Sequence, residues 1–229
     1  MKLVGLLGGM SWESSAEYYR LANELVRERA GGLASARLLL HSVDFAEVER
    51  LQAEDRWDEA GALLAEAATG LEAGGAQLLV LCTNTMHKVA PAIEAAVSIP
   101  LLHIGDVTAA AVRAAGLERV GLLATGYTME QGFLRERLAG HGLTVLVPDA
   151  ADRAVVHRVI YDELCQGIVS DDSRRAYREV IGRLVAAGAE GIILGCTEIE
   201  LLVDQTDSAV PVFPTTRLHV EAAITAALE

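Results

Sequence analysis

Short, almost wholly apolar runs punctuate this chain, and between them lie longer stretches in which apolar residues return every three or four positions. The runs at residues 2–7, 37–41, 77–82, 101–103, 119–124, 143–147, 191–195 and 210–213 read as strands. A strand wetted on one side alternates apolar with polar residues; these mostly do not, so both faces are covered, as in a parallel sheet between layers of helix. The periodic stretches read as helices. Residues 14–29 and 57–73 are each followed by a glycine pair, Gly31-Gly32 and Gly74-Gly75, which is a helix stop signal. Further helices are expected over 91–97, 107–115, 130–139, 154–165, 173–187 and 216–228. Strands alternating with helices through short connections predict an α/β architecture.

The pattern also repeats. VGLLGGMS at 4–11 returns as VGLLATGY at 120–127, and AGGAQLLVLCTNT at 73–85 returns as AAGAEGIILGCTE at 186–198. Laying Gly75-Ala76 on Gly188-Ala189 without a gap superposes Cys82 on Gly195 and Thr83 on Cys196. Successive strand residues point to opposite faces, so a one-residue slip cannot present both cysteines equivalently. Thr83, not Cys82, is therefore the expected counterpart of Cys196. Duplication predicts two pseudo-symmetric α/β domains, each a parallel sheet flanked by helices, divided as residues 1–103 with 215–229 and residues 104–214. Ligands of open parallel sheets bind outside the carboxyl ends of the strands, which places the expected site in a cleft between the domains.

Composition narrows the classes. With 229 residues, 52% of them hydrophobic, the chain can bury a large core without staples. Its three cysteines, Cys82, Cys165 and Cys196, are far apart with no CxxC, so a reduced, cytoplasmic protein is expected. The apolar start is too brief for a signal-peptide core, and no later run approaches a membrane span, so a soluble protein is expected. A net charge of −13 opposes nucleic acid and anionic membrane surfaces as partners. An anionic substrate would have to be held at short range, by backbone amides and hydroxyls.

Candidate chemistry gathers at the strand ends. Cys196 reads either as a small core hydrophobe or as a reactive thiol; in GCTE it precedes a possible helix start, where free amides would lower its pKa. A metal set of Cys82, Cys196, His87 and His103 matches no zinc spacing, and His87 reads better as a residue making a hydrogen bond. No GxSxG is present, and GLLGGMS lacks the full GxGxxG spacing. The glycines there would let backbone approach a small carboxylate, with Ser11 as donor, or would form a structural turn. TNT at 83–85 reads as a helix cap, as a carboxylate grip, or as both.

Taken together, GLLGGMSWES, HSVDF at 41–45, LCTNTMHK at 81–88, YTMEQ at 127–131, GCTE at 195–198 and TTRLHVEAA at 215–223 resemble the cofactor-independent aspartate/glutamate racemase family along essentially the whole chain. The likeness extends to its broad-specificity L-aspartate/glutamate branch. The resemblance implies two α/β domains, an acidic amino acid as the small-molecule substrate, a homodimer, and two-base proton transfer at the α-carbon with neither pyridoxal phosphate nor metal. Thr83 stands where most members carry the first catalytic cysteine, and Cys196 is the second. Asn84, Thr85 and Thr197, with amides near Met10 and Ser11, match the carboxylate-holding set, and Gln52 is the candidate for the side-chain carboxylate. Cys165 replaces a lysine that aspartate-specific relatives carry in a helix, which implies a looser pocket, and Pro214 replaces an aspartate. A threonine hydroxyl is a much weaker acid than a thiol, which titrates near about 8.5, so slow or directionally biased turnover is expected. Two alternatives are an isomerase or decarboxylase of a dicarboxylate, and an amino-acid-binding protein without catalysis.

Overall fold

A computed structural model describes residues 1–229. Along the chain it contains β1 (Val4–Gly8), α1 (Trp12–Ala30), β2 (Leu38–Ser42), α2 (Phe45–Ala53), α3 (Trp57–Ala73), β3 (Leu78–Leu81), α4 (Ala90–Ala96), β4 (Leu101–Leu102) and α5 (Ile104–Ala114). Then follow β5 (Arg119–Ala124), α6 (Gly126–Glu130), α7 (Phe133–Gly140), β6 (Thr144–Leu146), α8 (Ala150–Asp162), α9 (Asp171–Ala186), β7 (Gly191–Gly195), α10 (Ile199–Leu202), β8 (Val212–Pro214) and α11 (Thr215–Leu228). The chain forms two compact units, Met1–Ile104 with His219–Glu229, and Gly105–Leu218. No helix is long and apolar enough to cross a membrane.

In the first unit a parallel sheet runs β2-β1-β3-β4. Its central strands are buried at every residue, which is why they read as unbroken apolar runs. On one face Leu7, Leu79 and Leu81 pack with Leu64 and Leu71 of α3 and Ile93 of α4. On the other, Val4, Leu6, Leu78, Val80 and Cys82 pack with Tyr18 and Val26 of α1 and Val220 and Ile224 of α11. The second unit repeats the order as β6-β5-β7-β8, again parallel, around one core that includes Leu122, Leu123, Leu184, Ile192 and Leu194. β8 lies at the sheet edge, where Pro214, lacking an N–H, is tolerated.

Both units also need a missing side chain at the same place. A Cβ on Gly5 of β1 would stand 2.9 Å from Leu79 Cδ2, and one on Gly121 of β5 would stand 2.9 Å from both Ile192 Cδ1 and Leu184 Cδ1. The glycines let α3 and α9 settle closely on their sheets.

All the expected strands are present; the helices depart from expectation in three places. The stretch at 130–139 is divided between α6 and α7, because Thr125 caps α6 through Thr128 N–H and Gln131 then turns extended. The stretch at 154–165 ends early: α8 stops at Asp162, and Leu164–Gln166 form a 3-10 turn closed by Gly167 at φ +73°. Cys165 thus lies in a turn and not in a helix. The unanticipated α2 starts where the Asp44 carboxylate accepts from Ala46 N–H, and it buries Val48, Leu51 and Gln52 at helical spacing.

Gly121→Val is expected to lower stability by about 1–3 kcal/mol through overpacking, read as a drop in the urea midpoint. Gly140→Ala, whose added Cβ meets nothing within 4 Å, is the control and should leave the midpoint unchanged or slightly raised.

Candidate functional site

The ladders define which residue stands at each central strand end. Val4 pairs with Leu78 in the first unit, and its repeat counterpart Val120 pairs with Gly191 in the second. Thr83 and Cys196 each stand five residues beyond those partners, so the two ladders give the same equivalence as the sequence repeat.

At the first end, Cys82 and Thr83 differ in burial. Cys82 is fully buried in the α1/α11 face of the core with Sγ 3.7 Å from Val80 O, and burial pushes its thiol well above the ordinary range. Thr83 is partly exposed, and its N–H donates to Leu81 O at 2.9 Å. Asn84 and Thr85 are buried, and Thr85–Val89 form a 3-10 turn that the Asn84 side chain does not cap, so the capping reading of TNT is not realised. Behind the turn, Ser14 Oγ donates to Cys82 O at 3.0 Å.

The Gly9 turn brings further polar groups to the end of β1. Gly9 has φ +98°, and a Cβ there would lie 2.2 Å from Val43 O, so only glycine fits. Its N–H is taken by Ser15 Oγ at 2.7 Å, and Ser11 Oγ accepts from Ser14 N–H at 3.2 Å as the cap of α1. Met10 and Ser11 are both buried. Gln52, on α2, is only 4% exposed, with Nε2 on Met86 Sδ at 2.7 Å and Oε1 buried without a partner. A sulfur is a weak acceptor, so this amide is poorly satisfied and available to a polar ligand.

At the second end, the Cys196 thiol donates to Glu198 Oε2 at 2.8 Å. Thr197 Oγ1 and Thr216 Oγ1 are 2.8 Å apart, and Thr215 Oγ1 donates to Leu194 O at 2.8 Å. These groups are all buried. The expected lowering of the Cys196 pKa is not found. Burial, and then the Glu198 carboxylate and the nearby Cys165, raise the thiol well above its ordinary value, so it is held protonated. The reason is local: α10 begins at Ile199 and has only four residues, too little dipole to outweigh desolvation and an adjacent negative charge. Cys165, partly buried against the same core, is the other thiol of this region.

The metal reading loses its ligands: Cys82 faces the core, and no group of three or more His, Cys, Asp or Glu is arranged to hold a metal ion. Instead His87, His103 and His219 form a buried imidazole cluster in the first unit, His87 lying 4.5 Å from His103 and 5.8 Å from His219 between ring centroids. Two arrangements at these strand ends, the Cys196–Glu198 pair and the three-histidine cluster, were not anticipated from the sequence. Glu198 could have been suspected from Cys-x-Glu across a tight turn, closed here by Ile199 N–H on Cys196 O at 3.1 Å. The histidine cluster had no local signal, since its members are far apart in sequence.

Comparison with known proteins adds to this geometry. The description Asp/Glu/hydantoin racemase, a protein family, matches residues 7–223. A crystal structure from Yersinia pestis, of a candidate Asp/Glu racemase, is 55% identical, covers 100% of both chains and superposes with a TM-score of 0.94. An aspartate racemase homologue from Pyrococcus horikoshii OT3 is 32% identical with 100% coverage of both and a TM-score of 0.88. The broad-specificity amino-acid racemase RacX of Bacillus subtilis (strain 168) is 25% identical over 158 residues, 68% of this chain and 66% of that protein.

Two titrations test the site. Replacing the Glu198 carboxylate in Glu198→Gln removes a negative charge beside the sulfur, so the Cys196 pKa should fall. The pH profile of alkylation, referenced to Cys196→Ser, checks this; an unmoved or raised profile would contradict it. His219 is pushed down to about 4 by burial. Its ordinary value is about 6.5, so the fold binds fewer protons than the unfolded chain between these values. The stabilisation is fully present above pH about 6.5 and is lost as pH falls toward 4, by up to about 1.4 kcal/mol per pH unit. His219→Gln should flatten that part of the urea-midpoint profile.

Proposed function

We propose that this chain, which belongs to the Asp/Glu/hydantoin racemase family, inverts the α-carbon of an acidic amino acid by two-base proton transfer, using neither pyridoxal phosphate nor metal. The observation that carries this reading is the shared register of Thr83 and Cys196, which gives each strand end one proton-bearing side chain. The broad-specificity activity named for the Bacillus subtilis relative supports an amino-acid substrate.

In the proposed cycle Glu198 takes the Cys196 thiol proton along the existing hydrogen bond, the thiolate removes the α-hydrogen, and the Thr83 hydroxyl returns a proton to the opposite face. Solvent then reprotonates Thr83 and accepts the proton held by Glu198, which restores the starting state with Cys196 again a thiol. In the reverse sense Cys196 donates as the thiol that the structure holds. Charge accumulating on the α-carboxylate is met by Asn84, Thr85 and Thr197 and by amides near Met10 and Ser11. Gln52 serves the distal carboxylate: a half-turn of its amide exchanges the weak Met86 contact for a charge-assisted bond. Cys165, in place of a lysine, leaves the pocket without a cation and broadens it. Three free thiols fit a reducing cytoplasm, and a homodimer is the expected assembly.

A protonated Cys196 favours one second reading: delivery of a proton to a carbanion made by loss of carbon dioxide from a dicarboxylate. Incubation of L- and D-aspartate and glutamate in deuterium oxide separates the two. Exchange with inversion supports racemisation, and its absence with all four substrates would overturn it. Thr83→Cys should raise inversion by about tenfold or more, because a thiol is the better acid and base; an unchanged or lower rate removes Thr83 from the mechanism.

A further inference from the structure

We infer that His87 is a positioning residue that sets the direction of Thr83 by bridging the ends of two strands. Pairing between β3 and β4 is brief, Leu79 with Leu101 and Val80 with Leu102, and beyond it the ladder supplies no further bonds. The Thr83 carbonyl lies past the end of β3, and the Ile104 amide past the end of β4. One imidazole satisfies both. His87 Nδ1 is 2.7 Å from Thr83 O, and Ile104 N–H donates to His87 Nε2 at 3.2 Å.

These partners define the ring without ambiguity. A carbonyl only accepts, so Nδ1 carries the proton; a backbone N–H only donates, so Nε2 carries the lone pair. His87 is therefore neutral and in a single tautomer. The residue is 3% exposed and its ring packs edge-on with His103, while neighbouring His219 is bound between Tyr18 OH at 2.9 Å and Leu102 O at 2.8 Å. A swing of the His87 ring would break its bonds to both Thr83 and Ile104 at once. The bond closes the turn from Thr83 to His87, fixes the plane of the peptide after Thr83 and so directs the Thr83 side chain, the partly exposed member of a buried turn. The catalytic part of this inference rests on the proposed role of Thr83; the geometric part does not.

The test uses two substitutions that each keep half of the imidazole. In His87→Asn the side-chain amide nitrogen occupies the place of Nδ1 and can still donate to Thr83 O. In His87→Gln the amide reaches the place of Nε2 and serves Ile104 alone. Inversion of aspartate or glutamate should stay within about threefold of wild type in His87→Asn and fall by about tenfold or more in His87→Gln, since small misplacement of a reacting group is costly. Solvent-deuterium exchange into the enantiomer served by Cys196 should persist in both. The carbonyl carbon chemical shift of Thr83 should follow the wild type in His87→Asn and move in His87→Gln. Equal losses in the two variants, or loss of inversion and Cys196-side exchange together, would overturn the inference by marking His87 as general support. If wild type shows no exchange at all, the racemase reading fails while the Thr83 shift still decides whether His87 holds that carbonyl.

Discussion

Everything at the strand ends depends on the register of parallel strands buried on both faces. Once Leu79 and Leu81 are committed to the α3 side and Leu78, Val80 and Cys82 to the α1/α11 side, a slip by one residue would exchange the contents of two packed layers. The ladder then leaves no freedom over which residue stands five places beyond the partner of Val4 or of Val120. In the first unit it is Thr83, and in the second, by the same pairing with the neighbouring strand, it is Cys196. A thiol one residue earlier, at Cys82, serves as core volume.

The chemistry of Cys196 is governed by desolvation. A thiolate in a buried position loses solvation that a four-residue helix cannot replace, and the carboxylate of Glu198 adds repulsion. The same carboxylate offers the thiol an acceptor at hydrogen-bond distance. One interaction thus raises the cost of ionising the sulfur and gives its proton an acceptor. A cysteine in such a setting is a proton carrier before it is a nucleophile, which suits transfer to and from carbon.

Polar groups at the other strand end obey a stricter rule, since buried donors and acceptors beyond a ladder must find partners outside it. His87 answers for Thr83 and Ile104, and His219 for Leu102 and Tyr18. Neutral imidazoles do this well because each has one donor and one acceptor facing opposite ways. Gln52 shows the opposite condition. Its amide is buried with only a sulfur as partner, and its oxygen has none.

The amino-acid sequence by itself determined the alternation of strands and helices, the repeat of the two halves and the identity of the residues at the strand ends, because each of these follows from local apolar period and register. The limits of that reading are equally physical. The early end of α8 and the division between α6 and α7 turned on single caps and a left-handed glycine, and α2 turned on one aspartate at its start. The protonation of Cys196 and the tautomer of His87 were beyond local inference. They are set by burial and by partners, such as Ile104 and Glu198, whose approach depends on how the chain folds back in space. Only tertiary structure decides the dielectric around a group and what stands beside it, and these are the quantities on which proton transfer depends.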